Sequence, residues 1–533
     1  MNEKKINNTS TNYDYFSLIF LTFTCLNIFW MCNLRIYPFI DVPNHLALAT
    51  IIKFYGEATN AFKQYYSIDM FLKPNTFHPL FCGLNIFPSI EIGNKIFYCL
   101  YVLLFPLSVL LIIKKLNGNK WFSILSFLLI YNFNVMWGFV GFTISIPFIL
   151  FLLYFLIDSQ YSNNLWNKAV LAILFIILFF MHALACIFSL FFFFVFCLYY
   201  HRTSLLKILK ESIVTIPALV LITQWWVIES VTRSSAENYY NKSILNFIIH
   251  YYQTEYFKYL KYRGNLFFLD NYFLYDGLTG RFISFLFVLF IIIISLYQLI
   301  LNRKALYNDF MNKKNEPALI FMACSFFCYL IIPLELPDYS LLSERFSVFC
   351  LISIIILGSV ISPKKPKKMK IFIIYLVCSL HFILWSDYFY DFQKENYFFT
   401  KNLFPENSKN KKLAGLIYDN NFRGNPIYSH FMDYYIVWKN GIASVRFIDA
   451  KSFAVRRKVS KELLPPYFEW GDDGAEYDGR YANMDYILVR GRLDKKLSSY
   501  LEDFKLVKAV SEWSLYERKT LLNLSLKSVQ KVL

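Results

Sequence analysis

Apolar residues along this chain gather in runs of about 20, parted by short polar or basic segments, until about residue 390. A helical run of that length matches the hydrocarbon thickness of a bilayer. The pattern predicts spanning helices over residues 15–34, 93–113, 120–136, 138–157, 168–181, 184–200, 212–230, 281–301, 317–334, 343–361 and 370–389. After residue 390 the pattern changes. Gly, Asp, Glu, Lys and Arg return to ordinary proportions, and short β-like runs occur at Pro426–Ser429, Ala443–Ile448, Tyr486–Val489 and Phe504–Tyr516. Asn407–Lys412 reads as a polar linker or turn, followed by a helix near Leu413–Asn420. The expectation is a transmembrane domain over 1–390 and a small mixed α/β domain over 391–533.

Basic residues orient the spans. Lys4 and Lys5, Lys114-Lys115, Lys168, the Arg202/Lys207/Lys210 group, Arg303-Lys304 with Lys313-Lys314, and Lys364–Lys368 share one side only if 168–200 is a hairpin. Its turn then falls near Met181-His182. This arrangement predicts a polytopic α-helical protein of about eleven spans, with the N-terminus cytoplasmic and the C-terminus extracytoplasmic. Its large outer segments are 35–92, 231–280 and everything after 390.

Composition agrees with that class. The chain is 57% hydrophobic and 20% aromatic, with a mean hydropathy of +0.40, far from the soluble-domain range. The net charge of +17 sits largely in loops facing lipid headgroups, so nucleic acid is not an expected partner. Nine of ten cysteines lie in apolar spans, with Cys82 alone in a loop, which predicts neither a disulfide framework nor a cysteine-rich metal site. Residues 15–34 lack a following small-residue cleavage site and read as a retained span. Phosphate-loop, dinucleotide, zincin and nucleophile-elbow patterns are absent from the sequence. No internal repeat of the solenoid or inverted-transporter kind is visible either.

Chemistry is concentrated just past the first span, at Asp41-Val42-Pro43-Asn44-His45. Pro43 suits the first turn of a helix, and residues 43–57 place Leu46, Ala49, Ile52 and Phe54 on one side, as an interfacial helix would. Asp41 falls at the N-terminus of that helix, where it is either a cap or a working carboxylate. His45 lies one turn further on. Lys73-Pro74-Asn75-Thr76-Phe77-His78-Pro79-Leu80 follows in the same loop, and its two prolines exclude a regular helix there. The segment is either a rigid solvated turn or a binding element. Asn134 and Trp137 flank one hairpin tip, His182 sits at another, and Glu335, Asp338, Glu344 and Arg345 crowd the approach to the tenth span. Ionisable groups at membrane depth are functional candidates, although Arg345 has a structural alternative in pairing with Glu335 or Glu344.

In these features the chain resembles the GT-C superfamily of integral-membrane glycosyltransferases, such as protein mannosyltransferases and lipid A aminoarabinose transferases. Asp41–His45 looks like that family's acidic motif, and Lys73-Pro74 with His78-Pro79-Leu80 looks like a stretched form of its proline-rich motif. Phe133–Phe155 and Phe180-Met181-His182-Ala183 look like hairpins of bacterial proteins of this type. Two departures stand out: Val42 where the family often carries a second acid, and the insertion Asn75–Phe77. The resemblance implies transfer of a sugar from a polyprenyl-phosphate donor to a glycan, lipid or protein acceptor, with Asp41 as general base. Arg345 or Lys73 would neutralise the departing phosphate, and His45, His78 and His182 would orient Asp41 or bind sugar hydroxyls. A divalent metal is left open by the missing second acid. The competing classes are a transporter or flippase of lipid-linked glycans and a non-catalytic scaffold of the same descent. Heavy use of Lys, Asn, Phe, Ile and Tyr suggests an AT-rich genome and a bacterial inner membrane.

Overall fold

Every predicted span contains helix in the computed structural model. It describes residues 15–70, 72–159, 164–234, 244–272, 277–301, 313–336, 340–362, 367–448, 453–458, 481, 483–492 and 499–519. The chain runs from α1 (Tyr15–Asn33) through two helices of the first long loop, α2 (Val42–Phe54) and α3 (Phe77–Cys82), into α4 (Ile90–Lys115). Contrary to expectation the prolines of Lys73–Leu80 do not exclude a helix, since Pro79 falls in the first turn of α3, where no intrahelical N–H bond is lost. The chain continues with α5 (Val140–Ser159), the hairpin of α6 (Leu165–Met181) and α7 (Ala183–His201), and α8 (Ile216–Ser234). Then come α9 (Tyr256–Phe268), α10 (Gly277–Leu301), α11 (Glu316–Ile331), α12 (Ser347–Ile361) and α13 (Lys368–Glu395). Among the described residues seven helices are long and apolar enough to cross a membrane, and α6 and α11 are shorter apolar helices. This is the make-up of a multi-pass membrane protein.

One predicted span takes a different form. Residues Lys120–Leu129 form a 3₁₀-helix, followed by a single α-turn at Phe133–Met136. Residues 122–136 are buried throughout, packed among other segments with no lipid-facing stripe. The 3₁₀ rise of about 2 Å per residue lets a short segment reach further than an α-helix of equal length.

The hairpin turn at Met181-His182 is as the basic residues require. Its far end is tied by Lys168 to Glu211 at 2.9 Å and by Tyr200 to Glu316 at 2.7 Å. The near end lies toward the C-terminal domain, His182 and His430 both acting on His45, and is the domain-side end of the bundle.

That domain holds a five-stranded sheet of β2 (Lys412–Ile417), β3 (Ile442–Ala443), β5 (Tyr486–Arg490), β6 (Phe504–Val510) and β7 (Trp513–Arg518). The spatial order is β3-β2-β5-β7-β6, with β2 parallel to β3 and β5, and β7 antiparallel to β5 and β6. The expected helix near Leu413–Asn420 is therefore strand β2. Short apolar runs suit either state, and here two flanking strands decide. Gly415 also brings the backbone close to Met432, where an added Cβ would meet its sulfur at 2.5 Å. Pro426–Ser429, expected as strand, opens a 3₁₀-helix over Ile427–Asp433 that leads into α14 (Tyr434–Lys439). Of Ala443–Ile448 only the first residue is in a strand, and Arg446–Ile448 is another 3₁₀ turn. The Tyr486–Val489 and Phe504–Tyr516 expectations correspond to β5 and the β6–β7 hairpin. Helix α13 runs on to Glu395, so the domain begins a few residues after 390.

A second sheet joins the two domains. Strand β1 (Tyr66–Ile68), from the first long loop, pairs antiparallel with β4 (Val455–Arg457). Helix α2 lies beneath this joint with residues 42–51 all buried, so it is a core helix rather than an interfacial one. Its sequence explains this: Val42, Leu46, Ala47, Leu48, Ala49 and Ile51 clothe more than one face in apolar groups.

Candidate functional site

Four chain segments converge at the domain-side end. The Asp41 amide donates to the Trp137 carbonyl at 3.0 Å, and Ile40 does the same to Met136. Gly138 makes this approach possible: its φ is +73°, and an added Cβ would stand 2.6 Å from the Asp41 nitrogen. Gly141 allows a similar approach to the Met181 carbonyl. The Thr76 amide donates to Phe180 at 3.1 Å, docking the Lys73–Leu80 segment on the α6–α7 tip. Asn134 Nδ2 donates to the Arg345 carbonyl at 3.1 Å, fixing the fourth segment.

Asp41 is 6% exposed, and its side chain makes no capping bond to α2. It faces the C-terminal domain instead, with Oδ1 3.2 Å from Nε2 of His430. Asp433, one helical turn beyond His430, is fully buried, and neither carboxyl oxygen has a hydrogen-bond partner. Burial pushes the Asp433 carboxyl well above the usual carboxylate range, and the nearby Asp41 charge pushes it the same way. Two acids thus share one low-dielectric corner in unlike environments. The sequence hides His430 and Asp433 because Pro426–Ser429 reads as a strand that stops short of them. A signal was present: histidine and aspartate at i, i+3 share one face of a helical turn.

His45 and His78 lie side by side, ring centres 5.6 Å apart, with His45 also packed on Phe447 and Phe453. Burial holds the His45 imidazole well below its ordinary value, and the neighbouring His78, His182, His430 and Arg345 push it the same way. Burial brings His78 down to about 4, partly opposed by its hydrogen bond with Asn94 Oδ1 at 3.0 Å. Both rings are therefore neutral at pH 7. Lys73 is buried, not solvated, and pairs with the half-exposed Asp69 at 3.6 Å.

Arg345 differs from Lys73. It forms no ion pair with Glu335, Glu344 or any other carboxylate among the described residues; Asp338 lies outside them. Its guanidinium stacks 3.8 Å over the Phe139 ring, and Nε donates to the Leu341 carbonyl at 3.0 Å. Nη1 stands 2.8 Å from His182 Nε2, while His182 Nδ1 faces the Leu184 amide at 3.2 Å as the cap of α7. Arginine and amide offer only donors, and a neutral imidazole has one acceptor nitrogen. One of these two contacts therefore sets donor against donor. An anionic oxygen beside Arg345 and His182 would accept from both.

The structure thus gathers Asp41, His45, His78, His182 and Arg345 at one end of the bundle, with Lys73 in the adjoining loop. Among the described residues no three His, Cys, Asp or Glu side chains converge in a way that could hold a metal ion. No family model, curated protein or solved structure matches this chain.

Proposed function

We propose that this protein is a membrane glycosyltransferase that moves a sugar from a polyprenyl-phosphate-linked donor to an acceptor by one inverting displacement. The observation that carries the reading is the meeting, at one end of the bundle, of the Asp41–His430 pair and an arginine with no ion-paired carboxylate among the described residues. A base and an anion site are the two things such a displacement needs. Asp41 takes the proton of the acceptor hydroxyl, whose oxygen forms the new bond to the anomeric carbon. The bond from that carbon to the phosphate oxygen breaks, and its electrons stay on the phosphate. Arg345, with His182 beside it, meets that charge. His430 holds the Asp41 carboxylate in place, and Asp433 supplies a neutral acid next to it. Lys73 already has Asp69 and ranks behind Arg345 for the phosphate. His45 and His78, both neutral, line the wall behind Asp41.

In this reading the domain-side end faces away from the cytoplasm of a bacterial inner membrane. The isoprenoid tail lies in the bilayer, and the C-terminal domain covers the site. The experiment is an inventory of cell-surface glycans in cells lacking the protein, then complemented with the parent or with Asp41→Asn. The expected result is loss of one glycan, restored by the parent and not by the variant. An unchanged inventory on deletion, or restoration by Asp41→Asn at equal protein level, overturns the proposal.

A further inference from the structure

Two thiols touch at the domain-side end of the bundle. Cys32 sits in the last turn of α1 and Cys99 in α4, with their sulfurs 3.5 Å apart. They stand 67 positions apart along the chain, so no spacing motif announces them. The two helices are tied at this level, because Lys95, one turn before Cys99, donates from Nζ to the Cys32 carbonyl at 2.8 Å. Glu91, a further turn back, accepts from Trp438 Nε1 of the C-terminal domain at 3.0 Å, which places this part of α4 at the domain side. The ammonium also sets the depth of the pair, since a lysine head stays at the headgroup layer, where water reaches. Cys32 is exposed and Cys99 half-buried, whereas seven of the other cysteines are buried. The third that is not, Cys25, lies two turns deeper along α1.

We infer that Cys32 and Cys99 are joined as a disulfide in the cell, a modification that staples the first span to the second. The inference rests on the orientation proposed above, in which the domain-side end faces the oxidising space outside the cytoplasm. Bonding brings the sulfurs from contact to about 2.0 Å, a movement that side-chain rotation supplies. The oxidant is the disulfide of an extracytoplasmic dithiol carrier. One thiolate of the pair attacks it, forming a mixed disulfide and expelling a carrier thiolate. The second thiolate then attacks the mixed disulfide and releases the carrier as a dithiol. Two protons and two electrons pass to the carrier, and the new S–S bond stays between α1 and α4. Helix α1 is where such a link has most to add. Only Phe16, Phe23, Thr24, Asn27 and Met31 are buried in it, while α12 is buried almost throughout. The link also closes residues 33–98 into a ring, which removes freedom from the unfolded chain. Asp41, His45, Lys73 and His78 all belong to that ring.

The test uses the full-length protein with all its cysteines. Growing cells are quenched in acid, free thiols are alkylated under denaturing conditions, and the protein is digested without reductant and mapped by mass spectrometry. Cys32 and Cys99 should be recovered joined, two hydrogens lighter than their two thiol peptides, with Cys25 alkylated. In Cys32→Ser, Cys99 should be recovered alkylated. Recovery of Cys32 and Cys99 as alkylated thiols from the parent, or of either joined to Cys25, overturns the inference. A second measurement, on the purified parent in lipid nanodiscs with oxidised glutathione, shows where it failed. A link that forms there but not in cells puts the domain-side end on the reducing side and overturns the proposed orientation as well. A link that forms in neither shows that the helices do not present the two thiols to each other, and the enzymatic reading then stands or falls on the glycan inventory alone.

Discussion

Two arginines, Arg345 at the end of the helix bundle and Arg490 in the C-terminal domain, show how differently one side chain is treated in the same molecule. Arg490 is 2% exposed and fully matched: it bonds Glu395 at 2.7 Å and the Asp419 carbonyl at 2.8 Å, lies 3.4 Å from the Asp419 carboxylate, and stacks 3.6 Å over Tyr428. Glu395 is the last residue of α13, so this cation pins the sheet to the final bundle helix. Arg345 also stacks on an aromatic ring, but it bonds toward a histidine and, among the described residues, pairs with no carboxylate. A saturated cation fastens. In the proposed reading, an unsaturated one is held ready for an anion, at a free-energy disadvantage that its neighbours must offset.

The comparison can be broken at several points. The largest effect belongs to Asp41, the proposed base. Asp41→Asn should lower sugar transfer by about 10²–10⁴ in a purified assay, with stability changed by less than about 1 kcal/mol, since the side chain caps no helix. Transfer at the parent rate would remove Asp41 from the chemistry. Arg490→Ala comes next, read by melting curves. Breaking a buried pair costs about 3–5 kcal/mol, reduced to about 2–3 here because Glu395 and Asp419 reach solvent. An unchanged midpoint would deny Arg490 its fastening role. Arg345→Ala should behave oppositely, raising the apparent KM for the polyprenyl-phosphate donor about 10- to 100-fold with an almost unchanged melting point. Arg345→Lys should recover only part, since a point charge lacks the two-pronged geometry. A large drop in stability without a change in donor KM would make Arg345 a second Arg490. The smallest effect concerns Asp433, whose carboxyl is raised in the folded state. The folded chain then holds this proton more tightly than the unfolded one. Its contribution is fully present below about pH 4 and is lost as pH rises through the native value. Asp433→Asn should flatten that slope in a pH series of melting curves, and a steeper slope in the variant would show the acid to be ionised.

How far the sequence discloses this site depends on the kind of signal. Spans are legible because apolar runs and lysine placement act over 20 residues at a time, and the hairpin at His182 follows from charge alone. Asp41 and Arg345 stand out because an ionisable group beside an apolar run is energetically exceptional. Their relation to each other is not legible: it depends on Gly138 and Gly141 allowing two tips to touch, and a glycine names no partner. His430 and Asp433 are hidden by a local misreading, since strand and 3₁₀ turn are close competitors over five residues and long-range packing decides. The same holds for β2, where Leu413–Ile417 is apolar enough for helix and becomes strand only because β5 runs beside it.

The small sheet of β1 and β4 has a consequence for the protein's birth. Tyr66 not only pairs within this sheet but sends its hydroxyl to the Ala443 carbonyl, 377 positions along the chain. At about 5–20 residues per second, the ribosome needs roughly 20–80 seconds to make the stretch between them. Throughout that interval the first loop, with Asp41, has been released from the ribosome without its second half. In the proposed reading, a nascent chain is therefore catalytically silent until its C-terminal domain has been made, and the early spans insert with no chemistry on a half-built wall.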